Sequence, residues 1–143
     1  MQLEEVVSNP IRILVIVPHP DDIEVGMVGS VMRWIEAGAQ VTYCLITDGS
    51  AGSNDKDVDY AALVQRRIEE QAVAAKIAGV TDVRHLGYGD GTLEPTLELR
   101  RDLTRLIREI RPQRVVIFDP TMLLLTGEDM NYINHPDHVA GAT

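Results

Sequence analysis

Apolar residues in this chain fall into two regimes, short unbroken runs and longer stretches with a three-to-four-residue beat, and each regime predicts a different element. Ile13-Leu14-Val15-Ile16-Val17 has no polar interruption, which predicts a strand buried on both faces. Behind it, Ile23, Met27, Val31, Trp34 and Ile35 recur at helical steps and predict one helix laid on a sheet, ended by Gly38. Val41 to Ile46 predicts a second strand, and Thr47-Asp48-Gly49-Ser50-Ala51-Gly52-Ser53-Asn54 is too rich in glycine and small polar residues for regular structure. A helix from about Tyr60 to Ala78 carries Val64, Ile68, Ala72 and Ala75 on one face, with Gly79 where a C-terminal glycine belongs. Asp82 to Leu86 is a short third strand. Leu99, Leu103, Leu106 and Ile110 mark a third helix that Pro112 stops, and Arg114 to Phe118 is a fourth strand. Asp119 to Ile133 predicts a long irregular segment, within which Met122-Leu123-Leu124-Leu125 would suit a core, a lid or a subunit contact.

Strand and helix alternate with short connections, and the strands are too apolar for a solvent face. The expected fold is therefore α/β, a Rossmann-like three-layer α/β/α arrangement with a mainly parallel sheet. A strand order of 3-2-1-4 would reverse between strands one and four, and ligand crevices lie at the carboxyl ends of strands at such a reversal. With 143 residues, 45% hydrophobic and 24% charged, one globular domain over residues 1–143 is expected. A formal net charge of −9 disfavours nucleic acid and anionic membrane surfaces as partners. Met1-Gln2-Leu3-Glu4-Glu5 lacks a basic signal-peptide start and no apolar stretch approaches the ~20 residues of a membrane span, so a soluble, cytoplasmic protein is expected. Cys44, the single cysteine, falls within a strand and reads as a small buried hydrophobe.

Chemistry concentrates in two short segments. Pro18-His19-Pro20-Asp21-Asp22 follows the first strand directly, and His135-Pro136-Asp137-His138 comes near the end of the chain. His19 and Asp22, three residues apart at a strand-to-helix junction, can face one point if the turn begins at Pro20. Asp21 is then free beside a divalent ion, placed to take a proton from water whose pKa the ion has lowered toward ~7. Pro136 suits a first helical position, which puts His135 and His138 on one side, so that one can bind metal and the other substrate. The set His19, Asp22 and His138 leaves an open coordination position; its mixture of imidazole and carboxylate favours Zn2+, with Fe(II), Co(II) or Ni(II) also compatible. Taken alone, His-Pro-Asp-Asp also describes a strand-end turn with an Asp helix cap, and it is the second cluster that tips the balance to a metal site.

These segments resemble the PIG-L/LmbE-like N-acetylglucosaminyl deacetylases, zinc-dependent de-N-acetylases. The likeness rests on Pro18-His19-Pro20-Asp21-Asp22 after a strand, Thr47-Asp48-Gly49, Arg67-Ile68-Glu69-Glu70 leading into Ala78-Gly79-Val80, Tyr88-Gly89-Asp90-Gly91, and Asn134-His135-Pro136-Asp137-His138. The resemblance implies zinc on His19, Asp22 and His138, Asp21 as general base, and His135 as general acid or oxyanion stabiliser oriented by Asp137. It further implies that Arg67 and Asp90 contact the sugar, although spacing alone makes Arg67 a partner of Glu70 and Asp90 a turn residue. The implied substrate is a small amino-sugar molecule carrying an acetyl or related acyl group, and family members often form homo-oligomers. Two departures stand out. Many relatives carry Glu where this chain has Ser50, and family members usually continue well past the His-Pro-Asp-His motif, so that residues 1–143 look like the N-terminal part of such a domain.

Two other function classes compete with a hydrolase. Two histidines and a carboxylate also describe the facial triad of non-haem Fe(II) enzymes. A non-catalytic nucleotide-binding α/β module is the third class, but the chain has neither G-x-G-x-x-G after its first strand nor a G-x-x-x-x-G-K-[ST] loop. His85 has no neighbouring ligand partner in sequence and is left outside the site.

Overall fold

The computed structural model describes residues 11–121, 124–127 and 130–143. Its centre is β1 (Arg12–Val17), with Ile13, Leu14, Val15 and Val17 fully buried. Side chains alternate across a strand, so this one run feeds two cores. Ile13, Val15 and Val17 join Val41, Tyr43 and Leu45 of β2 (Gln40–Thr47) on one face, whereas Leu14 and Ile16 join Cys44 and Ile46 on the other. Each fully buried aliphatic side chain contributes about 1.5–3 kcal/mol, and a strand sandwiched between two layers collects that on both sides.

The first face is covered by α1 (Asp22–Gly26), α2 (Val28–Glu36) and α3 (Tyr60–Ile77), through Ile23, Val31 and Ala75. The second is covered by α4 (Leu97–Ile110), through Leu99 and Leu106, and by α5 (Pro136–Ala142), through Ala140. β3 (Asp82–Tyr88) and β4 (Arg114–Val116) complete a parallel sheet in the order β3-β2-β1-β4. The chain thus winds outward from β1 to β3 and returns to β4 on the other side. The reversal falls between β1 and β4, as the α/β reading expects, and the loops after β1, β2 and β3 gather at one edge.

Several elements depart from the expected pattern. The first helical stripe is split at Met27, where φ is −149° and ψ −1°. Hydrogen bonds from Met27 N to Ile23 O and from Val31 N to Met27 O carry the apolar stripe across the break. Periodicity therefore reads one helix where there are two. Ala72, expected in the core, is exposed, and Gln71 is buried in its place. β3 runs two residues further than expected, past a register shift opposite Leu45 and Thr47, where Gly87 takes φ +75°. β4 is shorter than expected. Val115 of β4 is 43% exposed, because among the described residues β4 pairs with β1 alone, whereas β1 has a neighbour on each side. The segment expected to be irregular contains an antiparallel pair, β5 (Leu124–Gly127) and β6 (Met130–Ile133). Met122 and Leu123, together with the side chains of Leu124 and Leu125, lie outside the described residues. Among the described residues no helix is long and apolar enough to cross a membrane.

Candidate metal and catalytic site

The turn after β1 is pinned from the neighbouring strand. The backbone N–H and the hydroxyl of Thr47, at the end of β2, both donate to the Pro18 carbonyl, each at 2.8 Å. His19 and Asp22 then close on each other: the His19 N–H donates to Asp22 Oδ2 at 2.8 Å, and the His19 ring places Nδ1 3.3 Å from the same oxygen. From the far end of the chain, His135 stands at the N-cap of α5 and Pro136 opens it, which brings His138 round so that its Nε2 lies 3.2 Å from Asp22 Oδ1. Phe118 fixes the His138 ring by stacking on it, centroids 4.3 Å apart and planes 1° from parallel. Burial of Ala140 against the β1 core is what carries α5, and hence His138, to this place.

Asp137 is fully buried and accepts three hydrogen bonds. Leu93 N–H donates to Oδ1 at 3.1 Å, Gly91 N–H donates to Oδ2 at 2.8 Å, and His19 Nε2 lies 3.0 Å from Oδ2. A carboxylate only accepts, so this contact puts the His19 proton on Nε2 and turns Nδ1 toward Asp22. The family resemblance implies that Asp137 orients His135. In the structure the carboxylate holds His19 instead, and it is the Asp137 backbone N–H that donates to His135 Nδ1, at 3.2 Å. Asp90 joins the same ring, with Oδ1 3.2 Å from His19 Nε2, while its Oδ2 accepts from Ala51 N–H at 3.0 Å.

These contacts set the charges. Burial works against a charged His19, but hydrogen bonds to Asp22 and Asp137 and the charges of Asp22 and Asp90 outweigh it and push the imidazole up to about 9. Burial likewise works against an ionised Asp22, yet its hydrogen bonds with His138 and His19 hold it well below the usual carboxylate range. Burial pushes the Cys44 thiol up to about 12, which removes it as a nucleophile.

Among the described residues two groups could hold a metal ion, His19 with Asp22 and His138, and His19 with His135 and Asp137; His85 belongs to neither. The first group suits a divalent cation. One ligand atom from each of the three residues lies within 4.8 Å of the others, with Asp22 Oδ2 3.3 Å from His19 Nδ1 and Oδ1 3.2 Å from His138 Nε2, and the two imidazoles and a carboxylate are ligand types that zinc takes. Asp137 supplies the outer carboxylate that ligating histidines characteristically use.

Asp21 has φ +86° and ψ −21°, a left-handed conformation that costs a non-glycine residue roughly 1–2 kcal/mol. Its carboxylate, more than half exposed, accepts from Arg67 Nη2 at 2.8 Å; Arg67 lies farther, at 3.6 Å, from the Glu70 that sequence spacing suggests as its partner. A cleft of about 270 Å3 is lined by His19, Asp21, Gly49, Arg67, Asp90 and His135. Behind the metal ligands a second cavity of about 480 Å3 is lined by Asp22, Val25, Phe118, Asp119, Asn134 and His138. Phe118 and Gln71 escape detection from sequence. The one sign of Gln71 is its place one helical turn after Arg67, and of Phe118 its place just beyond an edge strand.

A parallel sheet with two imidazoles and a carboxylate converging at its switch point defines a protein built around a candidate divalent-metal site. The chain belongs to the PIG-L family, described as GlcNAc-PI de-N-acetylase, which it matches over residues 14–143. It is 36% identical over 137 residues to the diacetylchitobiose deacetylase of Thermococcus kodakarensis, covering 96% of this chain and 48% of that protein. It is 31% identical over 138 residues to a probable N-acetyl-alpha-D-glucosaminyl L-malate deacetylase 2 of Bacillus anthracis, covering 93% of this chain and 57% of the relative. Its fold superposes on the N,N'-diacetylchitobiose deacetylase of Pyrococcus horikoshii, solved with its inhibitor MPG, with a TM-score of 0.83 and 32% identity over 99% of this chain and 50% of that one. The chain spans about half the length of the curated relatives it matches.

Proposed function

We propose that this protein is part of a zinc-dependent deacetylase that removes the acetyl group from an N-acetylglucosamine-type amino sugar. The observation that carries the reading is the convergence of His19, Asp22 and His138 with a further carboxylate, Asp21, beside them at the cleft. A divalent ion held by those three residues would polarise the amide carbonyl and acidify water, and a donor set of two nitrogens and one oxygen suits zinc. Asp21 takes the proton from the attacking water as the new C–O bond forms, its carboxylate steadied by Arg67. His135 accepts the Asp137 N–H at Nδ1, which leaves its own proton on Nε2. That proton stabilises the developing oxyanion and then passes to the departing amine as the C–N bond breaks. Arg67 and Asp90, both in the cleft lining, would hydrogen-bond the sugar hydroxyls.

Residues 1–143 belong to a single deacetylase domain on this reading, since both described cores share one sheet. A cytoplasmic setting suits the free, buried Cys44, and self-association follows the family resemblance. Two histidines with one carboxylate equally describe an Fe(II) site, so turnover with zinc in anaerobic buffer separates the two chemistries. Acetate release from diacetylchitobiose and N-acetylglucosamine should require zinc. Asp21→Asn should keep its zinc and lose about 10²–10⁴-fold in kcat; a fully active variant would remove Asp21 from the role of base.

A further inference from the structure

We propose that Gln71 is a positioning residue for this reaction, holding Asp21 in the left-handed conformation that points its carboxylate away from the helix and into the cleft; the proposal rests on the deacetylase reading. Gln71 lies within α3 at 3% exposure, a setting in which an amide must be satisfied at both ends. Its Oε1 accepts the Asp21 N–H at 3.2 Å, and its Nε2 donates to Glu24 Oε1 at 3.0 Å. Glu24 fixes which way the amide faces. A carboxylate cannot donate, so Gln71 must turn its NH2 toward Glu24 and its oxygen toward Asp21.

Asp21 occupies the N-cap of α1, where an aspartate ordinarily adopts extended backbone and folds its carboxylate back onto the helix N–H groups. Here it makes no side-chain cap, and among the described residues only Asp21 and Arg111 are non-glycine residues with positive φ. The side chain is thereby released to meet Arg67, while the backbone is gripped on both sides, at N–H by Gln71 and at C=O by Val25 N–H at 3.1 Å. Arg67 and Gln71 are one turn apart on α3, so a single helix face holds both the carboxylate and the backbone of Asp21. Among the described residues the second Glu24 oxygen, Oε2, has no hydrogen-bond partner, so Gln71 is the group that meets this buried carboxylate.

The test is made on the intact, zinc-loaded protein. Gln71→Met keeps the volume and removes both hydrogen bonds. It should lower kcat about 10- to 100-fold, the scale of a misplaced catalytic group, with KM and zinc stoichiometry unchanged. In an Asp21→Asn background the same change should have no further effect, and a crystal structure of Gln71→Met should show Asp21 at negative φ. Gln71→Glu, which sets two carboxylates face to face, should also lose kcat, and adding Glu24→Gln should restore it by recreating a donor and acceptor in reversed order. An unchanged kcat in Gln71→Met, an equal loss in the Asp21→Asn background, or Asp21 still near φ +86° would overturn the proposal. If the unaltered protein releases no acetate from amino sugars, the deacetylase reading fails, and the Asp21 backbone in Gln71→Met still decides the positioning role.

Discussion

Asp137→Asn puts the structural assignment of Asp137 at risk while keeping the side chain's volume. The carboxylate is fully buried and serves three donors, Leu93 N–H on one oxygen and Gly91 N–H and His19 Nε2–H on the other. An asparagine has one acceptor oxygen, so its NH2 must face a donor. The less costly orientation keeps the oxygen on Gly91 and His19 and sets the NH2 against Leu93 N–H, leaving that buried group unsatisfied at about 1–3 kcal/mol. The charge facing His19 is lost as well. Removing an outer carboxylate from a ligating histidine weakens metal binding by roughly 10- to 100-fold, or about 1.4–2.8 kcal/mol. Thermal unfolding of the metal-free variant should therefore show a lowered Tm, and competition against a chromophoric chelator should show the weakened zinc Kd. The refuting result is specific. If the carboxylate acted on His135 instead, as the family resemblance implies, Asp137→Asn would lower kcat and leave zinc affinity untouched.

The charge pattern around His19 and Asp22 makes stability without metal depend on pH in two directions. His19, raised to about 9, contributes fully below its ordinary 6.5 and loses that contribution as pH climbs through 9, whereas Asp22, lowered, contributes above its ordinary 3.8 and fails as pH falls through its folded value. Denaturant titrations in chelator should locate maximal stability between those limits, and zinc, which must displace the His19 proton, should bind more tightly with rising pH up to about 9; an affinity that is flat from 6.5 to 9 contradicts this. Gly49→Ala should destabilise by about 1–3 kcal/mol, because φ is +68° there and an added Cβ would stand 3.0 and 3.1 Å from the Pro20 ring. Since Pro20 leads into Asp21, turnover should fall further than zinc occupancy. Gly29→Ala, with nothing within 4 Å and ordinary helical backbone, should instead gain about 0.5–1 kcal/mol in the same unfolding assay.

Where one element's own pattern decides the outcome, the sequence was sufficient. The unbroken run in β1 forces burial on both faces, and once strands and helices alternate, chain handedness and the reversal of strand order bring the loops after β1, β2 and β3 to one edge. Spacing was also enough to place His19 beside Asp22, since both belong to one tight turn. It was not enough for the antiparallel pair β5 and β6, whose sequence lacks a recognisable hairpin turn signal, nor for the exposure of Val115, which depends on β4 having a single neighbour.

What tertiary structure alone decided is which polar group serves which across the fold. Gln71 is buried because Asp21 and Glu24 meet both ends of its amide, while Ala72 beside it lies in solvent, so the α3 core face follows hydrogen-bond satisfaction as well as hydrophobic period. Asp137 turns to His19 rather than to its chain neighbour His135 because α5 buries its carboxylate against the backbone N–H groups of Gly91 and Leu93. Local periodicity records the face a side chain occupies. The partner it finds there is set by distances between elements up to 118 positions apart, and those exist only once the cores have packed.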